Sequence, residues 1–113
     1  MVSIDSYRQA ALSFPETVEL PHFDRASFRV KNKIFTTLKK QEHLVMVKLS
    51  TADQSVFCSF NKEVIYPVPG GWGTKGATYI NLKKVKKEML TDALTCAYCA
   101  VAPKNLSAQY QRP

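Results

Sequence analysis

Apolar positions along this chain repeat with two different periods, and the switches between them outline its elements. Ile4, Tyr7, Ala11 and Phe14 recur at helical spacing, which predicts a helix capped by Ser3 and ended by Pro15. A short extended piece, Thr17 to Leu20, leads into a turn at Pro21-His22-Phe23-Asp24. Ser27 to Val30 and Lys33 to Leu38 then read as two strands. Lys31-Asn32 forms a two-residue tip between them, because Asn tolerates positive φ. Leu44 to Leu49, LVMVKL, is a further strand and reads as the most buried one. Ser50 followed by Asp53 resembles a loose capping box and opens a helix through about Phe60. Strands at Val64 to Tyr66 and Ala77 to Leu82 flank a glycine-rich loop. A long helix is expected from Val85 to Ala102, with Met89, Leu90, Ala93, Leu94, Ala97, Ala100 and Val101 on one face and Pro103 at its end.

The resulting order is α-β-β-β-α-β-β-α, with an extra strand possible before the first hairpin. Helices are grouped apart from hairpins, which implies an α+β fold: two layers, a mostly antiparallel sheet, and helices on one side. The other face of such a sheet needs water, a partner or a lid. No repeat, linker or low-complexity tract interrupts residues 1–113, so a single domain is expected.

Composition narrows the class. The chain has 113 residues, 45% hydrophobic and 22% charged, as in ordinary globular proteins. No apolar run approaches the roughly 20 residues of a membrane span, so no membrane partner is expected. MVSIDSYRQAALSF has no basic region followed by an apolar stretch, which argues against a secretory signal. Three cysteines, an odd number, are read as reduced thiols in a cytoplasmic protein. The net charge of +7 is the unusual value; it favours nucleic acid, anionic surfaces or acidic proteins as partners.

All glycines fall in PGGWGTKG, where Gly71, Gly73 and Gly76 match the G-x-G-x-x-G of phosphate-cradling loops. A dinucleotide fingerprint needs a helix after the glycines, and here a strand follows. A P-loop needs Gly-Lys-Ser/Thr, and the segment reads Thr74-Lys75-Gly76. No nucleotide cofactor is therefore expected. Two readings of the loop remain: Trp72 folds back over the core edge, or the loop is a mobile wing offering Trp72 and Lys75 to a ligand. Cys96-Ala97-Tyr98-Cys99 is a CxxC deep inside the last helix, whereas redox motifs start a helix. With Cys58, His22 and His43 it makes no recognised zinc spacing, so the cysteines read as buried structural residues, without metal or cofactor. His22, Asp24 and Ser27 lie too close in sequence for a triad, and His43 reads as a solvated turn residue. No catalytic set emerges, so no enzyme is expected. Lys83, Lys84, Lys86 and Lys87 start the last helix, where the dipole disfavours cations. They are either a solvated face or a site that attracts anions.

Taken in order, FPETVELPHFDRASFRVKNKIFTTL, LVMVKLS, PGGWGTKGATYINL and AYCAVAPKNL resemble the MmcQ/YjbR family of small bacterial proteins, from about Phe14 to Leu106. Its most specific pieces are SFRVKNKIF and the WG-x-x-G-x-T-Y-I stretch. The resemblance implies a two-layer α+β fold similar to type III secretion chaperones. It also implies a double-wing DNA-binding motif. Arg29, Lys31 and Lys33 match the first wing, and Trp72, Lys75 and Tyr79 the second. Together with the lysine cluster, these positions predict mostly electrostatic contact with double-stranded DNA. The alternative is a protein-interaction or chaperone-like adaptor that takes a protein or peptide on the open sheet face.

Overall fold

Local capping starts the helices as expected. Ser3 Oγ accepts from the Ser6 N–H at 3.0 Å and opens α1 (Ile4–Leu12). Ser50 Oγ accepts from the Asp53 N–H at 3.1 Å and opens α2 (Thr51–Cys58). Each bond satisfies a donor that the first helical turn leaves unpaired. The computed structural model describes residues 1–110; residues 111–113 of the expected domain lie outside them. The other elements are β1 (Thr17–His22), β2 (Arg25–Val30), β3 (Lys33–Lys39), β4 (Leu44–Lys48), β5 (Ile65–Pro67), α3 (Gly71–Thr74), β6 (Ala77–Asn81), α4 (Lys87–Val101) and α5 (Lys104–Ser107).

The strands form one sheet in the order β1-β2-β3-β4-β6-β5, with every neighbouring pair antiparallel. The fold is α+β, as the element order implies. Two expectations are corrected at its margins. The extended piece at Thr17 is a full strand that takes in Pro21 and His22, leaving Phe23-Asp24 alone as the turn. The last helix starts at Lys87, because Asn81 O accepts the N–H groups of Lys84 and Val85 and holds that stretch as a turn.

Helices α1 and α4 cover one face of the sheet, on which Phe28, Phe35, Val45, Val47 and Ile80 are fully buried, as is Tyr98 of α4. A bulge fits β3 to this core. The pairing steps from Phe28↔Thr36 to Arg29↔Ile34, leaving Phe35 unpaired, and two consecutive residues then face the helices. Phe35 meets Tyr98 edge-on at 5.4 Å, while Thr36 Oγ1 meets the Tyr7 hydroxyl at 2.9 Å. Because Thr36 donates its one proton to the Met46 carbonyl at 2.8 Å, the Tyr7 hydroxyl is the donor to Thr36. Burial pushes the Tyr7 phenol far above its ordinary range, so it remains a donor at any working pH. Tyr7→Phe is expected to cost about 1 kcal/mol in urea unfolding, since Thr36 keeps its bond to Met46.

Candidate functional site

The face without helices is the candidate site. Period-2 alternation sends Val18, Leu20 and His22 of β1 there, opposite Arg29, Ser27 and Arg25 of β2. Thr37 of β3 lies opposite Met46 of β4, and Met46 and Lys48 lie opposite Tyr79 and Ala77 of β6. LVMVKL is therefore a one-sided strand rather than a fully buried one: Val45 and Val47 face the core, Lys48 faces water. A groove of about 660 Å³ crosses this face, from His22, Phe23 and Arg25 on one border to Val68 and Trp72 on the other. Ile34, Thr37, Met46, Lys48, Ala77 and Tyr79 line it in between, and Asp24 stands beside Arg25.

The glycine segment forms one border of the groove and is not a slack hairpin tip. Gly71–Thr74 is a single helical turn inserted between β5 and β6. Gln54 of α2 fastens it, donating to the Gly73 carbonyl at 2.8 Å and the Ala77 carbonyl at 3.1 Å. Gly73 and Gly76 are needed for close approach. A Cβ on Gly73 would collide with the Val68 carbonyl oxygen, and one on Gly76 with that of Leu49. A wing would use its glycines for mobility and positive φ; Gly70 and Gly76 do have positive φ, at 85° and 111°, while Gly73 and Gly76 serve close packing. Trp72 projects from the turn and is 69% exposed, so it is no lid on the core.

Register fixes where the expected wing residues stand. Lys31 and Asn32 both have positive φ, at 48° and 65°, and form the tight tip between β2 and β3. That tip and the β5–β6 connection project from the same end of the sheet, the end at which Lys48 meets Ala77. Arg29, Lys31, Lys33, Lys48 and Lys75 gather at this end. Glu16 neutralises Lys31 at 2.7 Å. Among the described residues, Arg29, Lys33, Lys48 and Lys75 pair with no carboxylate. Arg29 is held in place by donating from Nε to Ser27 Oγ at 3.0 Å. Tyr79 faces the groove with its ring 5.8 Å from that of Tyr66.

The lysine cluster does not join them. Lys83, Lys84, Lys86 and Lys87 follow the other end of β6, which is roughly 13 Å long. Lys84 there contacts Glu63 at 3.7 Å. Asn81 takes up the N–H groups of Lys83, Lys84 and Val85, so these donors are not free to bind an anion.

Sequence reasoning missed Phe23, Arg25, Met46 and Lys48 as site residues. The signal for the last two was present: in LVMVK, valines at alternate positions on the core face send Met46 and Lys48 to the other face. Phe23 carried no such signal, since it lies in a turn.

The remaining candidate chemistry is used structurally. Ser27 Oγ donates to the Leu20 carbonyl at 2.8 Å, and the His22 ring packs on Phe23 at 4.7 Å, so the two do not work with Asp24 as a triad. Arg25, bonded to Asp24, holds that carboxyl below the usual range. His43 is not the solvated residue expected. It is half-buried at φ 51°, and its Nδ1 is buried with no hydrogen-bond partner among the described residues. The cysteines are half-buried rather than fully buried, and Cys58 and Cys96 pack against the core. No cluster of metal-ligating side chains occurs among the described residues. Burial pushes the Cys58 and Cys99 thiols up, so less thiolate is present at neutral pH. A thiol–disulfide reagent at pH 7.5 is expected to label these two several-fold more slowly in the native protein than in urea. Equal rates would show that burial does not protect them.

The YjbR family model matches residues 12–100. The chain belongs to the YjbR family. The matched span runs from the end of α1 nearly to the end of α4, so the YjbR region contains the whole sheet, both connections and every groove residue. In fold it is similar to the crystal structure of Deinococcus radiodurans protein DR2400, of the DUF419 domain family. The TM-score is 0.80 at 17% identity, over 100% of this chain and 91% of that one. No curated protein sequence matches it. No described helix of this YjbR chain is long and apolar enough to cross a membrane.

Proposed function

We propose that this chain is a cytoplasmic, non-enzymatic DNA-binding module that holds phosphates with the cations gathered at one end of its sheet. The observation that carries the reading is the shared end of the two connections. Three strand spacings separate them, roughly 14 Å, comparable with the roughly 12 Å width of a DNA major groove. Arg29, Lys33, Lys48 and Lys75 at this end keep their charge available to phosphates, with no carboxylate answering them among the described residues. Three of these four are lysines, which act as point charges rather than bidentate readers of bases. The long helix α4 is packed against β3 and β4 and is not free to enter a groove. Affinity is therefore mostly electrostatic and only modestly selective for sequence.

Fluorescence anisotropy with a labelled duplex across a salt series tests the reading. Affinity is expected to fall steeply with salt, and Lys75→Ala to lower the log–log slope by about 1. Adding Lys84→Ala is expected to change the affinity little further, because Lys84 stands at the other end of β6 and faces Glu63. Absent binding at low salt, or binding indifferent to salt, overturns the reading. The apolar floor of the groove favours one alternative, a peptide-binding adaptor, and salt-indifferent binding of a peptide would support it.

A further inference from the structure

Phosphate contact alone leaves the open face unexplained, because it needs no exposed rings. Phe23 is 95% exposed, and among the described residues its ring contact is with His22. Its φ of 58° is a left-handed conformation that glycine or asparagine adopts with far less strain than a bulky aromatic. The chain thus holds a phenyl ring in water, at a backbone position that disfavours it, on the border of the groove. Trp72 stands on the opposite border, with Tyr79, Ile34 and Met46 in the lining between. Lys48 and Arg25 line the same groove; its one carboxylate, Asp24, is tied to Arg25 at 3.2 Å.

We propose that this face is a stacking platform for unpaired bases, so that the module takes a short single-stranded nucleic-acid segment in preference to duplex. The inference rests on the nucleic-acid reading above and narrows its ligand class. A single strand presents flat apolar base faces and a regularly spaced anionic backbone, and the groove offers flat rings beside cations. A duplex hides those base faces in its own stack. An uncharged apolar peptide would cover Lys48 without supplying a counter-charge, which is costly.

Trp72 is the one tryptophan in the chain, so its fluorescence reports occupancy of the groove directly. Oligo(dT) and the matching dA·dT duplex are titrated at low salt, with Trp72 emission and strand anisotropy both recorded. Oligo(dT) is expected to quench Trp72 and to bind at least about fivefold more tightly than the duplex. Phe23→Gly is expected to weaken oligo(dT) binding by about fivefold or more. It should leave duplex binding unchanged and the thermal midpoint equal or higher, since glycine accepts the left-handed φ. Trp72→Phe should retain binding that Trp72→Ala loses. Equal or tighter duplex binding, or a Phe23→Gly effect equal for both forms, overturns the platform and leaves the phosphate-binding reading standing. No binding of either form overturns both. Quenching by polyglutamate without quenching by oligo(dT) also overturns both, in favour of an acidic peptide.

Discussion

Tyr98→Ala is expected to destabilise the protein by about 4 kcal/mol, enough to unfold a marginal domain near physiological temperature. The ring is fully buried where α4 meets the sheet. It stacks on Phe14 at 4.8 Å and meets Phe35 and Tyr110 edge-on at 5.4 and 5.7 Å. Its hydroxyl donates to the Pro15 carbonyl at 2.8 Å, tying the end of the α1 segment to α4 across 83 residues of chain. Truncation loses the transfer energy of the ring and leaves a cavity that three surrounding aromatics cannot close. Tyr98→Phe separates the hydroxyl from the ring and is expected to cost about 1 kcal/mol. Urea unfolding with an unchanged m-value checks both. A loss under 1 kcal/mol for alanine would mean that α4 is anchored elsewhere.

Gly76→Ala is expected to cost about 3 kcal/mol and to disturb the groove as well. At φ 111° an alanine is strained whatever the space around it, and its Cβ would meet the Leu49 carbonyl oxygen. Neither obstacle can rotate away, because both are backbone. The Gly76 carbonyl also accepts from the Leu49 N–H at 3.2 Å, so the ends of β4 and β6 must part to admit the methyl group. Trp72 stands four residues earlier in the fastened turn, so its emission is expected to shift in the mutant at temperatures where the protein stays folded. Gly71→Ala is the control. A Cβ there meets nothing within 4 Å, and its effect should stay within about 0.5 kcal/mol. Equal effects at both glycines would show that the turn is slack.

Local signals in the sequence located most elements, because caps, tight turns and periods depend on neighbours along the chain. Ser3 and Ser50 cap the helices they were expected to cap, and Lys31-Asn32 turns the hairpin at the expected two residues. The glycine segment went wrong for the opposite reason. PGGWGTKG reads locally as slack chain, yet its glycines answer carbonyl oxygens of Val68 and Leu49, and Gln54 pins the turn from another helix. The β3 bulge was equally hidden, since only the pairing with β2 shows that Phe35 is the extra residue.

By itself, the sequence determined the α+β class, the family, the positive charge and the two hairpin connections, all of them written in order, composition and short-range spacing. Which cations stand together was decided only by the tertiary structure. Lys33 and Lys75 are 42 positions apart in the chain, yet antiparallel register brings them to one end of the sheet, while Lys83, much closer to Lys75 in sequence, lies at the other. Phe23 and Trp72 become the borders of one groove in the same way. A strand advances roughly 3.3 Å per residue, whereas neighbouring strands lie roughly 4.8 Å apart whatever their separation in sequence. Proximity on a sheet therefore follows pairing rather than chain distance, and pairing is settled by which faces the core buries.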